Sequence, residues 1–334
     1  MVAARETQGM GVVVLYNESD GVAQGEEQDL IAVQGVVACA RAVAEALAAA
    51  GRRVALAPMR ADVESALSPF SPAEWIVFNL GEGVNSRLFD EARTAWAIEA
   101  MGYRFTGNRG EALARSTNKA EAKACLARAG VPTPPWHLYR HPSEVAQDGL
   151  AFPLFVKPVA EDASQGIGPD AVVRDRTALQ ARVAYIVEKY RQAALAEQFI
   201  AGREFNVSLW GDPPEVLPLA EIDFAFDDPL KRIVTFAAKW DEDSPEYRNT
   251  PVRCPAEVDP ALAERIRSIA RRAWEAIGCR GYARVDMRVD ESGTPYVVEV
   301  NCNPDISPDA GFFRAARAAG YTYQEMALRI LEMA

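Results

Sequence analysis

The sequence predicts a mixed α/β (α+β) chain that opens with a parallel sheet and continues in antiparallel strands. Three observations carry this. Short β-branched runs alternate with helical periods over the first hundred residues, the proline cluster Val131-Pro132-Thr133-Pro134-Pro135 then interrupts the chain, and beyond it strands follow one another across turns.

Val12 to Tyr16 is the first strand, Asp29 to Ala50 carries apolar residues at helical spacing before a C′ glycine, Gly51, and Arg53 to Ala57 is strand-like again. Trp75 to Leu80, a helix from Leu88 to Met101 closed by Gly102, and a short strand from Tyr103 to Phe105 repeat the pattern, so these strands should run parallel. Ligands collect at the carboxyl ends of such strands, here the segments beginning Asn17-Glu18-Ser19 and Gly81-Glu82-Gly83. One helical stretch, Glu111 to Ala129, leads to Gly130 and the prolines. Leu154 to Lys157 is the next strand, followed by a glycine-containing loop from Ala160 to Gly168, a strand at Val172-Val173, a helix from Thr177 to Lys189 and a strand into Phe199. Glu204 to Ala238 reads as consecutive strands, and Lys239 to Arg253 as a charged loop. Pro260 to Ile277 is an amphipathic helix; strands Tyr282 to Val289 and Tyr296 to Asn301 flank the turn Glu291-Ser292-Gly293; helices from about Ala310 to Ala319 and from Tyr323 to Met333 close the chain.

Composition narrows the function. Across 334 residues, 36 Lys and Arg face 47 Asp and Glu, a net charge of −11, which disfavours a polyanionic nucleic acid but leaves room for a small anion in a local basic pocket. No uncharged apolar run approaches the ~18 residues of a membrane span. The first ten residues have no apolar signal core, so a cytoplasmic protein is expected. Five scattered cysteines and only two histidines argue against a zinc site, a disulfide framework or a histidine triad. Chemistry must rest on carboxylates, lysines and arginines.

Gly9-Met10-Gly11 precedes its strand and Gly81-Glu82-Gly83 lacks a third glycine, so neither meets the context of a dinucleotide fingerprint. The loop Glu161 to Gly168 lies between strands and can fold its N–H groups around a phosphate. Glu197 and Glu204 stand seven apart around an apolar strand and a glycine turn, placed for a purine edge and a ribose. Alternation puts Arg284 and Asp286 on one face of a strand, and Glu299 and Asn301 on one face of the next. Asp, Glu and Asn together make an all-oxygen set suited to hard Mg²⁺.

These residues, with Val77-Phe78-Asn79, Tyr103 to Gly107, Thr117-Asn118-Lys119, Pro153 to Pro158, Ser164-Gln165-Gly166, Ala238-Lys239-Trp240, Cys279 to Asp286 and Glu299 to Pro304 in that order, resemble the ATP-grasp carboxylate-amine ligases, most closely the D-alanine:D-alanine ligase branch. The resemblance implies an ATP-grasp fold of three domains, residues 1–115, 116–200 and 201–334, the last two clamping ATP between antiparallel sheets. It implies ATP with one or two Mg²⁺ ions, Mn²⁺ being able to substitute. Lys119 and Lys157 would hold phosphates under the loop of Ser164 and Gly166; Glu197, Phe199 and Ile200 would meet the adenine and Glu204 the ribose; Asp286, Glu299 and Asn301 would ligate metal. Arg284 would face the reacting carboxyl, with Lys239, Ser164 and Asp29 in the catalytic set. The implied partners are small amino acids or carboxylates and amines, and a second copy of the chain in a homodimer, with neither nucleic acid nor membrane.

The acceptor half departs from that branch. Asp29 stands where the branch has a glutamate for the first ammonium, Trp240 replaces a tyrosine, and Asn303-Pro304-Asp305-Ile306-Ser307-Pro308-Asp309 replaces a Ser-Pro-Gly run. Asp29, Trp240, Asn303, Asp305 and Ser307 are therefore the expected substrate-facing residues, although Ser307-Pro308 also reads as an N-cap and first-turn proline. The expectation is amide-bond formation through an acyl phosphate with an altered acceptor. An authentic D-alanine:D-alanine ligase, a phosphate transferase and a non-catalytic nucleotide-binding scaffold are the alternatives.

Overall fold

The computed structural model describes residues 9–18, 25–82, 89–145 and 149–334. Ser19, Gly83 and Leu88, named above, lie outside them. Strand β1 (Gly11–Asn17) is buried along its whole length and pairs in parallel with β2 (Val54–Met59) and β3 (Trp75–Leu80). Between them run α1 (Leu30–Ala49) and the short α2 (Val63–Leu67), whose N-cap Asp62 accepts the Ser65 N–H. Helices α3 (Asp90–Ala100), α4 (Gly110–Thr117) and α5 (Lys119–Arg128) follow. Tyr103 to Phe105 forms no full strand; Phe105 makes one parallel bridge to Val77.

The helix expected over Glu111 to Ala129 is broken in two. Asn118 leaves the helical region at φ −83°, ψ 95°, and its side chain accepts the N–H groups of Ala120 and Glu121, so it caps α5. The break puts Lys119 at the first helical position, its own N–H on the Val159 carbonyl.

A four-stranded antiparallel sheet in the order β4-β7-β5-β6 comprises β4 (Trp136–Tyr139), β5 (Leu154–Pro158), β6 (Val172–Val173) and β7 (Ala194–Gln198), with α6 (Arg176–Tyr190) against it. The remaining sheet has six strands. It is built from β8 (Arg203–Trp210), β9 (Glu215–Val216), β10 (Ala220–Ile222), β11 (Val252–Arg253), β12 (Tyr282–Val289) and β13 (Pro295–Asn301), in the order β11-β10-β8-β12-β13 with β9 on β8. The expected run of strands from Glu204 to Ala238 therefore ends at Ile222. Thr235 caps a short helix, α7 (Phe236–Trp240), and Ser244 caps α8 (Pro245–Arg248), where a charged loop was expected.

Helix α9 (Pro260–Ile277) keeps its sequence-derived bounds because every signal agrees: Asp259 caps it, Pro260 starts it, Gly278 ends it at φ +81°, and Ile266, Ala270, Ala273, Trp274 and Ile277 form one buried stripe. Each larger apolar side chain so buried contributes roughly 1.5–3 kcal/mol. Helices α10 (Gly311–Ala318) and α11 (Tyr323–Glu332) return to the start of the chain, where Phe312, Met326 and Ile330 join Val36, Val43 and Leu47 of α1 in one core. A second core takes Val13, Leu15 and Val77 from the parallel sheet together with Phe205, Val285 and Val300 from the six-stranded one. Helix α5 bridges sheets: Ala122 and Leu126 belong to that core, whereas Ala120 packs with Val159, just beyond β5, and Leu195 of β7.

Candidate active site

A cavity of about 550 Å³ opens between the four-stranded and six-stranded sheets, with Lys119, Lys157 and Glu197 on one wall and Glu204, Asp286 and Glu299 on the other. Antiparallel register brings the last group together. Arg284 lies opposite Asn301 and Asp286 opposite Glu299 on β12 and β13, while Asn206 on β8 sits on the other side of Asp286. A bulge after Asp286 shifts the pairing of the rest of β12.

Glu197, Glu204, Asp286, Glu299 and Asp162 of this cavity are each paired with an internal cation. Glu299 Oε1 lies 2.8 Å from Lys119 Nζ, which also reaches Asp162 at 3.2 Å and the Glu161 carbonyl at 2.5 Å. Burial alone would raise the Glu299 pKa, but Lys119, Lys157 and Arg284 outweigh it and hold the carboxyl well below its ordinary value. Burial would likewise depress Lys119, yet Asp162 and Glu299 raise its pKa. Glu197, 2% exposed, is gripped from both sides, Oε1 by Lys157 at 3.0 Å and Oε2 by Lys123 at 2.5 Å. Lys123 also donates to Thr133 Oγ1 at 2.8 Å. Burial lowers the Lys123 pKa, with Glu197 opposing. Glu204 Oε2 takes Arg288 Nη1 at 2.7 Å, and burial raises its carboxyl pKa despite that partner. Arg288 Nε donates to the Ile200 carbonyl at 2.6 Å, and its guanidinium lies 5.0 Å from the Phe199 ring centroid, so the residues expected at the purine are braced by one arginine from β12.

The loop from Ala160 to Gly168 covers one side. Gly166 adopts φ +71°, and a Cβ there would stand 2.7 Å from Pro158 Cγ, so only glycine fits. Its carbonyl accepts from the buried Arg182 of α6. Ala163 and Ser164 also have positive φ, at 54° and 62°, and Trp240 Nε1 donates to the Ala163 carbonyl at 3.0 Å. Trp240 thus latches the loop to α7. Ser164, Lys239, Trp240, Phe199, Ile200 and Asn301 line the cavity; the Gly166 side does not. Burial, then Arg284, lowers the Lys239 pKa.

Three expected substrate residues are placed differently. Asp29 does not line this cavity: it is fully buried before α1, Oδ2 accepting the Glu26 N–H at 2.9 Å and the Tyr190 hydroxyl at 3.2 Å, and burial raises its pKa. Asn303 is turned away, its side-chain oxygen accepting the Tyr282 hydroxyl at 3.3 Å. Ser307 gives its N–H and hydroxyl to Asp305 Oδ1, at 2.9 and 2.6 Å, and is not an N-cap, since α10 starts at Gly311 behind Ala310. Asp305 itself remains on the cavity wall.

The donor set fits Mg²⁺ and a nucleotide. Among the described residues no group of three or more His, Cys, Asp or Glu side chains is arranged to hold a metal alone. Asp286 and Glu299 with the Asn301 amide supply hard oxygens but too few of them, which suits a cation completed by phosphate. Lys119 and Lys157, both nearly buried, are the cations able to meet those phosphates. Lys157→Ala should weaken ADP binding by about 10- to 100-fold in calorimetry, the range for losing a hydrogen bond to a charged group. An unchanged affinity would remove Lys157 from the nucleotide site.

Lys123, Arg288, Arg182 and Asn206 were not singled out from the sequence. Lys123 had a signal available: it stands four residues after Lys119, on one helical face. The others appear only through sheet register and packing.

The family model "D-ala D-ala ligase C-terminus" matches residues 125–332. The D-alanine–D-alanine ligase B of Chromobacterium violaceum is 30% identical over 259 residues, covering 77% of this chain and 79% of that protein. The uncharacterized protein y4sG of Sinorhizobium fredii is 35% identical over 267 residues, covering 80% of this chain and 76% of its own. The D-alanine–D-alanine ligase of Bacillus anthracis, solved in complex with ATP, superposes with a TM-score of 0.76 over 97% of each chain at 20% identity. The chain belongs to the D-alanine–D-alanine ligase family and is an ATP-dependent ligase of the ATP-grasp fold.

Proposed function

We propose that this ligase joins the carboxyl of an amino acid or similar small acid to an amine that is cationic or uncharged beyond its reacting nitrogen, through an acyl phosphate, releasing ADP and phosphate. The observation that carries the acceptor reading is Asp305. It occupies the cavity wall and consumes both donors of Ser307, so a carboxylate there would meet negative charge where N–H and hydroxyl groups would be needed. The charge of Asp305 is also felt at Glu82. Although much of that residue is exposed, surrounding protein and then Asp305 and Asp162 push its carboxyl up to about 7.

A carboxylate must be activated before an amine can displace its oxygen, and each step gathers negative charge. Lys119 and Lys157 hold phosphate oxygens; Lys239 and Arg284, on the same cavity, face the acid and the developing oxyanion. Divalent metal on Asp286, Glu299 and Asn301 would neutralise phosphate charge and polarise the transferred group. The Ser164 loop, latched by Trp240, excludes water from the acyl phosphate. An authentic D-alanine–D-alanine ligase is the second reading. It draws on Arg314, which lines the same wall and donates to the Asp309 carbonyl at 3.2 Å.

With ATP, Mg²⁺ and D-alanine alone, little phosphate and no D-alanyl-D-alanine should form; rapid synthesis of that dipeptide would establish the second reading. With a panel of acids and amines, the productive pair should pass carboxyl ¹⁸O into phosphate. Release of pyrophosphate, or absence of label from the phosphate, would exclude the acyl phosphate.

A further inference from the structure

Arg284 and Asp286 are two residues apart on β12, side by side on the face that meets the cavity. Arg284 Nε donates to Asp286 Oδ1 and Nη2 to Oδ2, each at 2.7 Å, a forked pair with both side chains largely shielded, 18% and 9% exposed. Asn206 Nδ2 adds a third donor to Oδ1 at 2.8 Å. A carboxylate offers about four acceptor directions, so three of those of Asp286 are filled by nitrogen donors. The neighbouring ligands are less engaged. Glu299 meets one lysine, and Asn301 Oδ1 accepts one backbone N–H, from Asn303 at 2.8 Å.

We infer that Arg284 is an exchangeable counter-cation for Asp286. Its guanidinium holds the carboxylate oxygens until metal and nucleotide bind together, and giving them up frees the same fork to meet the carboxyl of the acid substrate. This rests on the ligase reading and on Asp286 as a metal ligand, and adds an order to it: Arg284 is delivered to the reacting group by the event that loads the site. Two forked charge-assisted hydrogen bonds compete with a divalent ion for one carboxylate, so metal alone binds poorly. Phosphate oxygens supply the extra ligands that tip the exchange. Asn206, whose amide stays on Oδ1, keeps the carboxylate aimed while the arginine leaves.

The test is binding of Mn²⁺ to the full-length, nucleotide-free protein, followed by the electron paramagnetic resonance signal of free Mn²⁺. Arg284→Met should bind Mn²⁺ about tenfold more tightly than the wild type, because a competing cation is gone and the carboxylate charge is unbalanced. Arg284→Lys cannot fork two oxygens and should fall between the two. The gain should vanish in Arg284→Met/Asp286→Asn compared with Asp286→Asn alone. Thermal unfolding confirms which variants are folded; Arg284→Lys carries the test if the methionine variant is not. Equal or weaker Mn²⁺ binding by a folded Arg284 variant would overturn the exchange. Failure of the metal assignment is seen separately, as Asp286→Asn binding Mn²⁺ as tightly as the wild type in the presence of a non-hydrolysable ATP analogue.

Discussion

Glu299→Gln should lower turnover on the order of a thousandfold while the protein still unfolds in one cooperative step. The substitution removes one negative ligand from a site that has only two carboxylates and an amide, so charge on the transferred phosphate loses its compensation in the transition state. It also releases Lys119, which would retain Asp162 and the Glu161 carbonyl as partners. The side chain is 23% exposed and its replacement is isosteric, so the fold should survive. Phosphate release at saturating ATP, measured across a Mg²⁺ titration, is the direct readout; activity within a few-fold of wild type would remove Glu299 from the metal site. A pH effect accompanies it. The Glu299 pKa is depressed in the folded protein, so its contribution to stability is fully present above the ordinary value of 4.5 and is lost as pH falls through the depressed value. The glutamine variant should therefore show a shallower loss of stability on acidification.

Lys123→Met should destabilise the protein by about 3 kcal/mol, read as a shift of the denaturant midpoint at constant slope. Lys123 and Glu197 are 2% and 3% exposed in their side chains, and removing the lysine leaves a buried carboxylate with Lys157 as its one remaining cation. Lys157 would then be drawn toward Glu197 and away from phosphate, so nucleotide affinity should fall as well. Combining Lys123→Met with Glu197→Gln leaves the buried Lys157 without its carboxylate, with the Val298 carbonyl as its acceptor, and should not restore the stability. A single variant as stable as the wild type would show that Lys157 alone satisfies Glu197.

Local chemistry made much of the chain readable. Asp259-Pro260 and Gly278 bound α9 by capping and backbone preference, effects that reach no further than one turn, and the 3.6-residue stripe between them was unambiguous. The segments that misled were those where a local signal was outvoted or overlooked. Asn118 sits inside a continuous helical pattern, and only its extended backbone and its bonds to the Ala120 and Glu121 N–H groups show the break. Ser307-Pro308 has the residues of a helix start, but the serine is taken by Asp305 and the helix begins four residues later.

The α/β order of elements, the lysines, carboxylates and glycine loop of an ATP-grasp ligase, and the unusual aspartate in the acceptor segment were all legible in the residues alone. Those are matters of residue type and spacing within one element or one loop. Which cation neutralises which carboxylate is a matter of how the elements pack. Lys123 and Lys157 reach Glu197 from a helix and a strand, Arg288 reaches Glu204 across sheet register, and Arg284 turns along its own strand to Asp286. Packing likewise moved Asp29 out of the cavity and onto Tyr190 of α6. Such pairings depend on register and packing between segments far apart in the chain, Asp29 and Tyr190 being 161 positions apart and Lys119 and Glu299 further still, and no periodicity along one segment encodes them.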